Sequence, residues 1–307
     1  MNDDPSKLIE NIHISYLVTP IPGKEMVAVP EIKINQKGPR VELGEGKSSK
    51  VYKIGYGQQH VAIKEFFPDE DETFDDELFI HHRLNHPHII ALIGFVGSRI
   101  RPDQFGGALL LELAKQTLQD FLDENIFEQR TNEKCSGYAR DLAQGIYYLH
   151  SKHVMHGDIK PCNALIMQDG KLKISDFGLS HQLSKKQPFV FKEQQEGSLQ
   201  YMPPELFIYV SGQGIKYTPM IDIYTLGWVL YLLTTHEAKD PYDDIPSMKT
   251  ITDNHRDNIL PVIQQNMSPA LRSLIYACWK KEPEERPDAL LVLQIVGQKD
   301  IVFRPTK

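Results

Sequence analysis

The sequence predicts an α+β fold of two lobes, the first small and rich in strands, the second larger and helical. Three observations carry that expectation. The chain has 307 residues, a length that suggests about two lobes of about 150 residues each. From residue 40 to about 113 the apolar residues fall in short, β-branched runs, which is how strands read. After residue 117 they recur every three or four positions, the period of helices.

The elements follow in chain order. Residues 1–38 read as an N-terminal extension, with alternating runs IHISYLV (12–18) and EIKI (31–34) among Pro20, Pro22, Pro30 and Pro39. Proline removes a ladder donor, so these runs suit edge strands added to the first lobe; a functional arm is the other reading. RVELGEG, KVYKIGY, HVAIKEF, IIALIGFV and GALLLEL then give a series of strands. One helix interrupts them near 72–84, with Phe74, Leu78 and His81 on its apolar face and Glu77 on its polar side. In the second lobe CSGYARDLAQGIYYLH (135–150) spaces Tyr138, Leu142, Ile146 and Leu149 as one helical stripe. A further helix covers 222–235, and SPALRSLIYACW opens with Ser268 as N-cap and Pro269 at the first helical position. IDIYTLGWVLYLL (221–233) is too short to span a membrane and carries Asp222, so it reads as a buried core helix.

Composition narrows the class. Hydrophobic residues make up 41% and charged residues 24%, as in soluble globular proteins, and a chain this long buries a core without staples. The three cysteines, Cys135, Cys162 and Cys278, have no paired spacing; neither a disulfide framework nor a zinc site is indicated. A reducing, cytoplasmic compartment is expected. The net charge is −7, and no basic block stands out, which argues against a nucleic-acid partner. MNDDPSKLIEN is acidic and polar, unlike a signal peptide.

Five segments suggest chemistry. In LGEGKSSKVY (43–52), Gly44 and Gly46 form a turn whose amides can approach phosphate oxygens; an ordinary hairpin turn is the alternative. Lys64 ends the strand VAIK and can act on phosphate as a point charge, although many strands end in lysine. Glu77 could hold Lys64 in place, or simply be solvated. HGDIKPCN (156–163) spaces Asp158, Lys160 and Asn163: a group to accept or orient a hydroxyl proton, a cation to steady a transferring phosphoryl, and a neutral oxygen for Mg²⁺. In SDFG, Asp176 lies thirteen residues after Asn163 at the end of KLKIS, followed by Gly178, and suits Mg²⁺ held against phosphates.

In this order the segments resemble the eukaryotic-type protein kinase family over roughly residues 38–300. MPPE (202–205) is similar to the motif that closes the family's activation segment. The resemblance implies an extension at 1–38, a kinase domain at 39–300 and a tail at 301–307. Within the domain it implies an N-lobe at 39–111, a hinge at 112–116 and a C-lobe at 117–300. It also implies ATP between the lobes, with Leu43, Gly44, Gly46, Val51, Ala62, Glu112, Ala114 and Leu165 around the nucleotide and Leu111 as gatekeeper. By the same resemblance Lys64, positioned by Glu77, holds phosphates; Asn163 and Asp176 hold Mg²⁺; Asp158 aligns the acceptor hydroxyl, with Lys160 beside it. Ser198 stands where a threonine bonds the catalytic Asp and Lys. Asp222 anchors the catalytic loop, Glu205 pairs with Arg286, and His156 and Phe177 join His81 and Leu92 in a spine through the domain.

Lys160–Pro161 and GSLQYMPPE are similar to serine/threonine-type loops, and the CW…RP ending to the tyrosine-kinase-like branch. The expected partner is a protein substrate; no oligomeric state follows. Three departures bear on function. Ser49 replaces the third loop glycine, His81 takes an apolar spine position, and Gly157 replaces the loop arginine that pairs with activation-segment phosphate. From Gly157, activity without that phosphorylation is expected, unless Arg140 or Lys192 takes over. HGD is also found in small-molecule phosphotransferases, which lack the Glu205–Arg286 pairing. A pseudokinase scaffold is the third reading, although none of Lys64, Asp158 and Asp176 is lost. A eukaryotic cytosolic kinase and a bacterial kinase delivered into host cells would read alike. Replacing Lys64 is expected to abolish transfer and leave the fold intact.

Overall fold

A computed structural model describes residues 32, 39–97, 106–124, 130–235, 253–254, 257–261, 263 and 267–303. The expected run at 12–18, and most of that at 31–34, lie outside them. The chain divides into two compact units. The first holds the described residues up to Asn85, together with Ile89–Ala114 and Asp176–Gly178; the second holds His86–His88, Lys115–Ser175 and the chain from Leu179 onward.

Among its described residues the first unit holds a five-stranded antiparallel sheet and one helix. Strands β1 (Val41–Glu45), β2 (Ser49–Tyr56), β3 (Gln59–Phe66), β4 (Leu92–Val96) and β5 (Ala108–Glu112) are arranged in the order β1-β2-β3-β5-β4. The five runs expected to be strands between residues 40 and 113 are strands; β3 and β5 bury most of their side chains, whereas β1 is exposed along its length and is held by its pairing with β2. Ile54, Val61, Ile63, Val96, Ala108 and Leu110 form one core. Ile32 joins them at 3% exposure, and its N–H donates to Phe95 O at 2.7 Å.

Helix α1 (Asp71–His81) is shorter than the 72–84 expected, since Leu84 N–H bonds His81 O in a tightened last turn. Phe74, Leu78 and His81 are buried, and so is Glu77. The expectation of a polar side for Glu77 is therefore corrected. Position 77 stands at i+3 from Phe74 and four before His81, which puts it on the same stripe.

The second unit contains β6 (Gln116–Thr117), α2 (Leu118–Glu124), α3 (Asn132–Ser151), β7 (Val154–Met155), β8 (Ala164–Ile166) and β9 (Leu172–Ile174). It continues with β10 (His181–Gln182), β11 (Val190–Lys192), β12 (Tyr209–Val210), β13 (Gly214–Tyr217), α4 (Met220–Thr234), α5 (Pro269–Cys278) and α6 (Ala289–Val296). Thr131 caps α3 by accepting Lys134 N–H, and Tyr138, Leu142, Ile146 and Leu149 face the core. Helix α4 is buried almost all round, and Trp228 on it packs against Trp279 with ring centroids 4.6 Å apart. Among the described residues no helix is long and apolar enough to cross a membrane.

Two details differ from expectation. Ser268 stands at the N-cap of α5, but its hydroxyl accepts Val302 N–H instead of capping the helix. Residues 301–303 do not trail away: Ile301 and Phe303 are buried, and Phe303 N–H donates to Asn132 Oδ1 at 2.7 Å.

Candidate active site

The residues singled out by the sequence fall into two clusters, one in each unit. In the first unit, β3 carries Lys64 in the middle of the sheet, between Val51 and Leu109. Lys64 Nζ donates to Glu77 Oε2 and to Asp176 Oδ1, both at 2.6 Å. Burial works against the ammonium, but Asp176 and Glu77 outweigh it and hold the Lys64 pKa above its usual value. Burial pushes the Glu77 carboxyl up, against the opposing charge of Lys64. A Cβ at position 178 would lie 3.1 Å from Glu77 Oε2, so Gly178 leaves room for that carboxylate. Asp176 itself has φ +66°, a left-handed backbone unusual outside glycine.

Phe177 follows at 1% exposure, its ring centroid 4.8 Å from that of His81. His81 Nε2 donates to Ile90 O at 2.8 Å. Burial lowers its pKa to about 4, so His81 is a neutral ring at neutral pH.

The Gly-rich turn joins β1 to β2, and Gly46 N–H bonds Ser49 O at 2.8 Å. A side chain at Gly44 would meet no protein atom within 4 Å; the turn's surface is open. Leu43 is 51% exposed. Ala62 pairs in register with Leu111, and Glu112 Oε1 accepts Ala91 N–H at 2.6 Å. Ala114 is half-buried just beyond β5, and Leu165, in the second unit, lies half-buried in β8.

In the second unit the loop after β7 is tied from below by Asp222 on α4. Its Oδ2 accepts His156 N–H at 2.9 Å and His150 Nε2 at 2.8 Å, and its Oδ1 accepts Gly157 N–H at 2.8 Å. Burial raises this carboxyl, but the His150 hydrogen bond and the other donors more than offset it, and the pKa is lowered. His156 Nε2 donates to Ser175 O at 3.0 Å while Nδ1 accepts Asp158 N–H at 3.2 Å. The two contacts select one tautomer.

Asp158 is then surrounded by donors. Its Oδ1 accepts Ser198 N–H at 3.0 Å, and its Oδ2 accepts Asn163 Nδ2 at 3.1 Å and Lys160 Nζ at 2.7 Å. Lys160 Nζ also donates to Ser198 Oγ at 2.7 Å. Asn163 Nδ2 donates to Asp158 O as well, at 2.9 Å, which turns the amide nitrogen inward and leaves its oxygen as the free kind of donor for a cation. Glu205 and Arg286 meet in a two-pronged pair at 2.6 and 2.7 Å.

Gly157 has a backbone reason. Its φ is +82°, and a Cβ there would lie 2.7 Å from Leu179 O. Of the two cations that could take over from the missing arginine, Arg140 is exposed on α3 and Lys192 pairs with Glu196 at 3.1 Å.

The reading of the sequence missed how the stretch from 179 to 217 is held. Strand β10 pairs with β7, and β11 pairs with β13, which also pairs with β12. The signal was SGQG between YV and IKY, a glycine-containing hairpin turn.

Comparison with known proteins fits this geometry. The family model of the protein kinase domain matches residues 39–296. The chain belongs to the protein kinase family. It is 30% identical over 265 residues to mitogen-activated protein kinase kinase kinase 7 of Drosophila melanogaster, covering 84% of this chain and 37% of that protein. It is 31% identical over 283 residues to a probable serine/threonine-protein kinase of Dictyostelium discoideum, covering 89% of this chain and 28% of that one. With serine/threonine/tyrosine-protein kinase HT1 of Arabidopsis thaliana it shares 26% over 269 residues, 84% of this chain and 65% of the relative. The chain thus spans less than two thirds of the length of each of these three relatives.

Proposed function

We propose that this kinase domain transfers the γ-phosphate of ATP to serine or threonine hydroxyls of protein substrates, and that it does so without activation-segment phosphorylation. The observation that carries the reading is the joined set Asp158, Lys160, Asn163 and Ser198. Three donors hold the Asp158 carboxylate in one orientation, ready to align an acceptor hydroxyl. Lys160, already bridged to Ser198, is placed to steady the transferring phosphoryl. Lys64, fixed by Glu77, binds phosphate oxygens. Such catalysis is positioning and electrostatic stabilisation more than covalent chemistry. Asp176 and Asn163 offer a carboxylate and an amide oxygen, hard donors that fit Mg²⁺. When bound, the ion neutralises phosphate charge. Serine/threonine specificity is supported by the Lys160–Ser198 bridge and by the names of the relatives.

Independence from phosphorylation is supported by the acceptors themselves. Ser180 is buried and donates to His156 O at 3.0 Å, Tyr201 is buried, and Ser198 is engaged. Ser184 is exposed, with Lys185 and Lys186 exposed beside it, and attraction between such surface charges is weak and screened. Order in the segment comes instead from the β10–β7 and β11–β13 pairings. We place the protein in a reducing cytosol, in keeping with its free Cys135, Cys162 and Cys278.

The test measures phosphate transfer to a generic protein substrate with Mg·ATP. Wild type should turn over and Asp158→Asn should not; no transfer by wild type would point to a scaffold, and equal turnover of the two would remove Asp158 from the mechanism. Phosphatase-treated protein and Ser184→Ala should keep kcat/KM within about tenfold of wild type, roughly 1.4 kcal/mol. A larger loss would overturn the phosphorylation-independent part alone.

A further inference from the structure

We infer that Tyr217, on the last residue of β13, is a positioning residue for phosphoryl transfer: its hydroxyl fixes the main chain of Glu196 so that Ser198 N–H stays on the Asp158 carboxylate. The inference rests on the kinase reading given above.

The geometry is direct. Tyr217 Oη accepts Glu196 N–H at 2.7 Å and donates to Glu196 O at 3.2 Å. One hydroxyl therefore grips both polar groups of a single peptide residue. Burial pushes the phenol's pKa up, so it keeps the proton it donates. Its ring is 3% exposed, in a cluster with Met155, Leu183, Met202, Leu206 and Ile221, which leaves the hydroxyl little freedom to move.

Two residues on, Ser198 N–H reaches Asp158 Oδ1 at 3.0 Å. Gly197, between them, has φ +111°, and a Cβ there would lie 3.4 Å from Gly157 O. The path from Tyr217 to Asp158 is thus one short, closely seated stretch of backbone. A second tie restrains its other side, where Gln195 Nε2 donates to Leu206 O at 2.7 Å. Strand β13 supplies Tyr217 already fixed, because Val190 pairs with Tyr217 in the β11–β13 ladder. An error of about 1 Å in a reacting group can cost a hundredfold in rate, so a hydroxyl remote from substrate can matter to turnover.

The test is Tyr217→Phe, which removes one oxygen and keeps the ring in its cluster. Two readouts are needed: steady-state kinetics on a protein substrate, and hydrogen exchange of the amides of residues 195–199. The expected result is a fall in kcat of at least fivefold, KM for ATP within twofold of wild type, and faster exchange at Glu196 and Ser198. Any smaller loss of kcat overturns the inference, as does unchanged exchange at those two amides. A loss of kcat accompanied by a rise in KM for ATP also overturns it, since that marks general destabilisation. Asp158→Asn is assayed alongside: if it matches an active wild type, or if wild type shows no transfer at all, the kinase reading itself fails and the positioning role falls with it. Faster exchange in that case would leave Tyr217 as a structural clamp only.

Discussion

At Glu77 a carboxylate lies 1% exposed with Lys64 Nζ 2.6 Å away. Removing one member of such a pair strands the other, at a cost of about 3–5 kcal/mol when burial is deep. Lys64 also neutralises Glu77, so it bears on stability as well as on transfer. Lys64→Ala should lower the melting temperature as well as abolish transfer. Lys64→Ala/Glu77→Gln should recover much of the stability and none of the activity, as thermal denaturation and a transfer assay would show. His81 makes a different prediction. Its pKa is about 4 in the folded chain, against about 6.5 unfolded. The unfolded chain therefore binds the extra proton between those values, so the neutral ring costs nothing above pH 6.5 and stability falls as pH drops toward 4. Urea unfolding at pH 7 and pH 5 should show a smaller loss in His81→Leu than in wild type. Between pH 7 and 8 the two should run parallel.

At the level of elements, β4 is an edge strand of the five-stranded sheet, and edge strands expose unpaired backbone groups. Ile32 meets part of that need. Its N–H pairs with Phe95 O, and its side chain enters the core beside Val96 and Ala108. Truncating a buried isoleucine to alanine typically costs about 2–5 kcal/mol. Ile32→Ala should therefore lower the melting temperature and speed hydrogen exchange in β4, while exchange in α3 changes little. Strands β11 and β13 show a related dependence on backbone shape. Gly214 has φ +102°, and a Cβ there would lie 2.4 Å from Lys192 O. That pairing admits glycine alone at 214 without a shift in the ladder.

At the scale of the whole chain, Arg286 links residues 81 positions apart in sequence by its two-pronged bond to Glu205. It also donates to Met220 O, Lys280 O and Lys281 O. Its side chain is fully buried, while that of Glu205 is 15% exposed. One cation thus satisfies a carboxylate and three carbonyls, and all four lose their partner together in Arg286→Ala. A loss of about 3–5 kcal/mol is expected, read as a lower melting temperature with activity falling in step. Arg286→Lys should recover little, because an ammonium cannot reproduce the planar fork of donors.

The sequence by itself determined the α+β class, the strands of the first unit, the main helices and the family. Each depends on local periodicity or on motifs whose residue types are dictated by their chemistry, as with Asp158, Asn163 and Asp176. Asp222 and the Glu205–Arg286 pair were legible only through resemblance, since nothing local announces a contact across so many residues. Three features were decided by the tertiary structure. Glu77 is buried because its stripe on α1 faces the core. Gly157 is needed where Leu179 O approaches a left-handed backbone, a clash with no trace in the residues around it. Tyr217 carries no mark in the sequence; only the pairing of β11 with β13 and the packing around it bring its hydroxyl against Glu196. Hydrogen-bond partners distant in sequence are chosen by how the chain packs, and packing is settled only when all the elements meet.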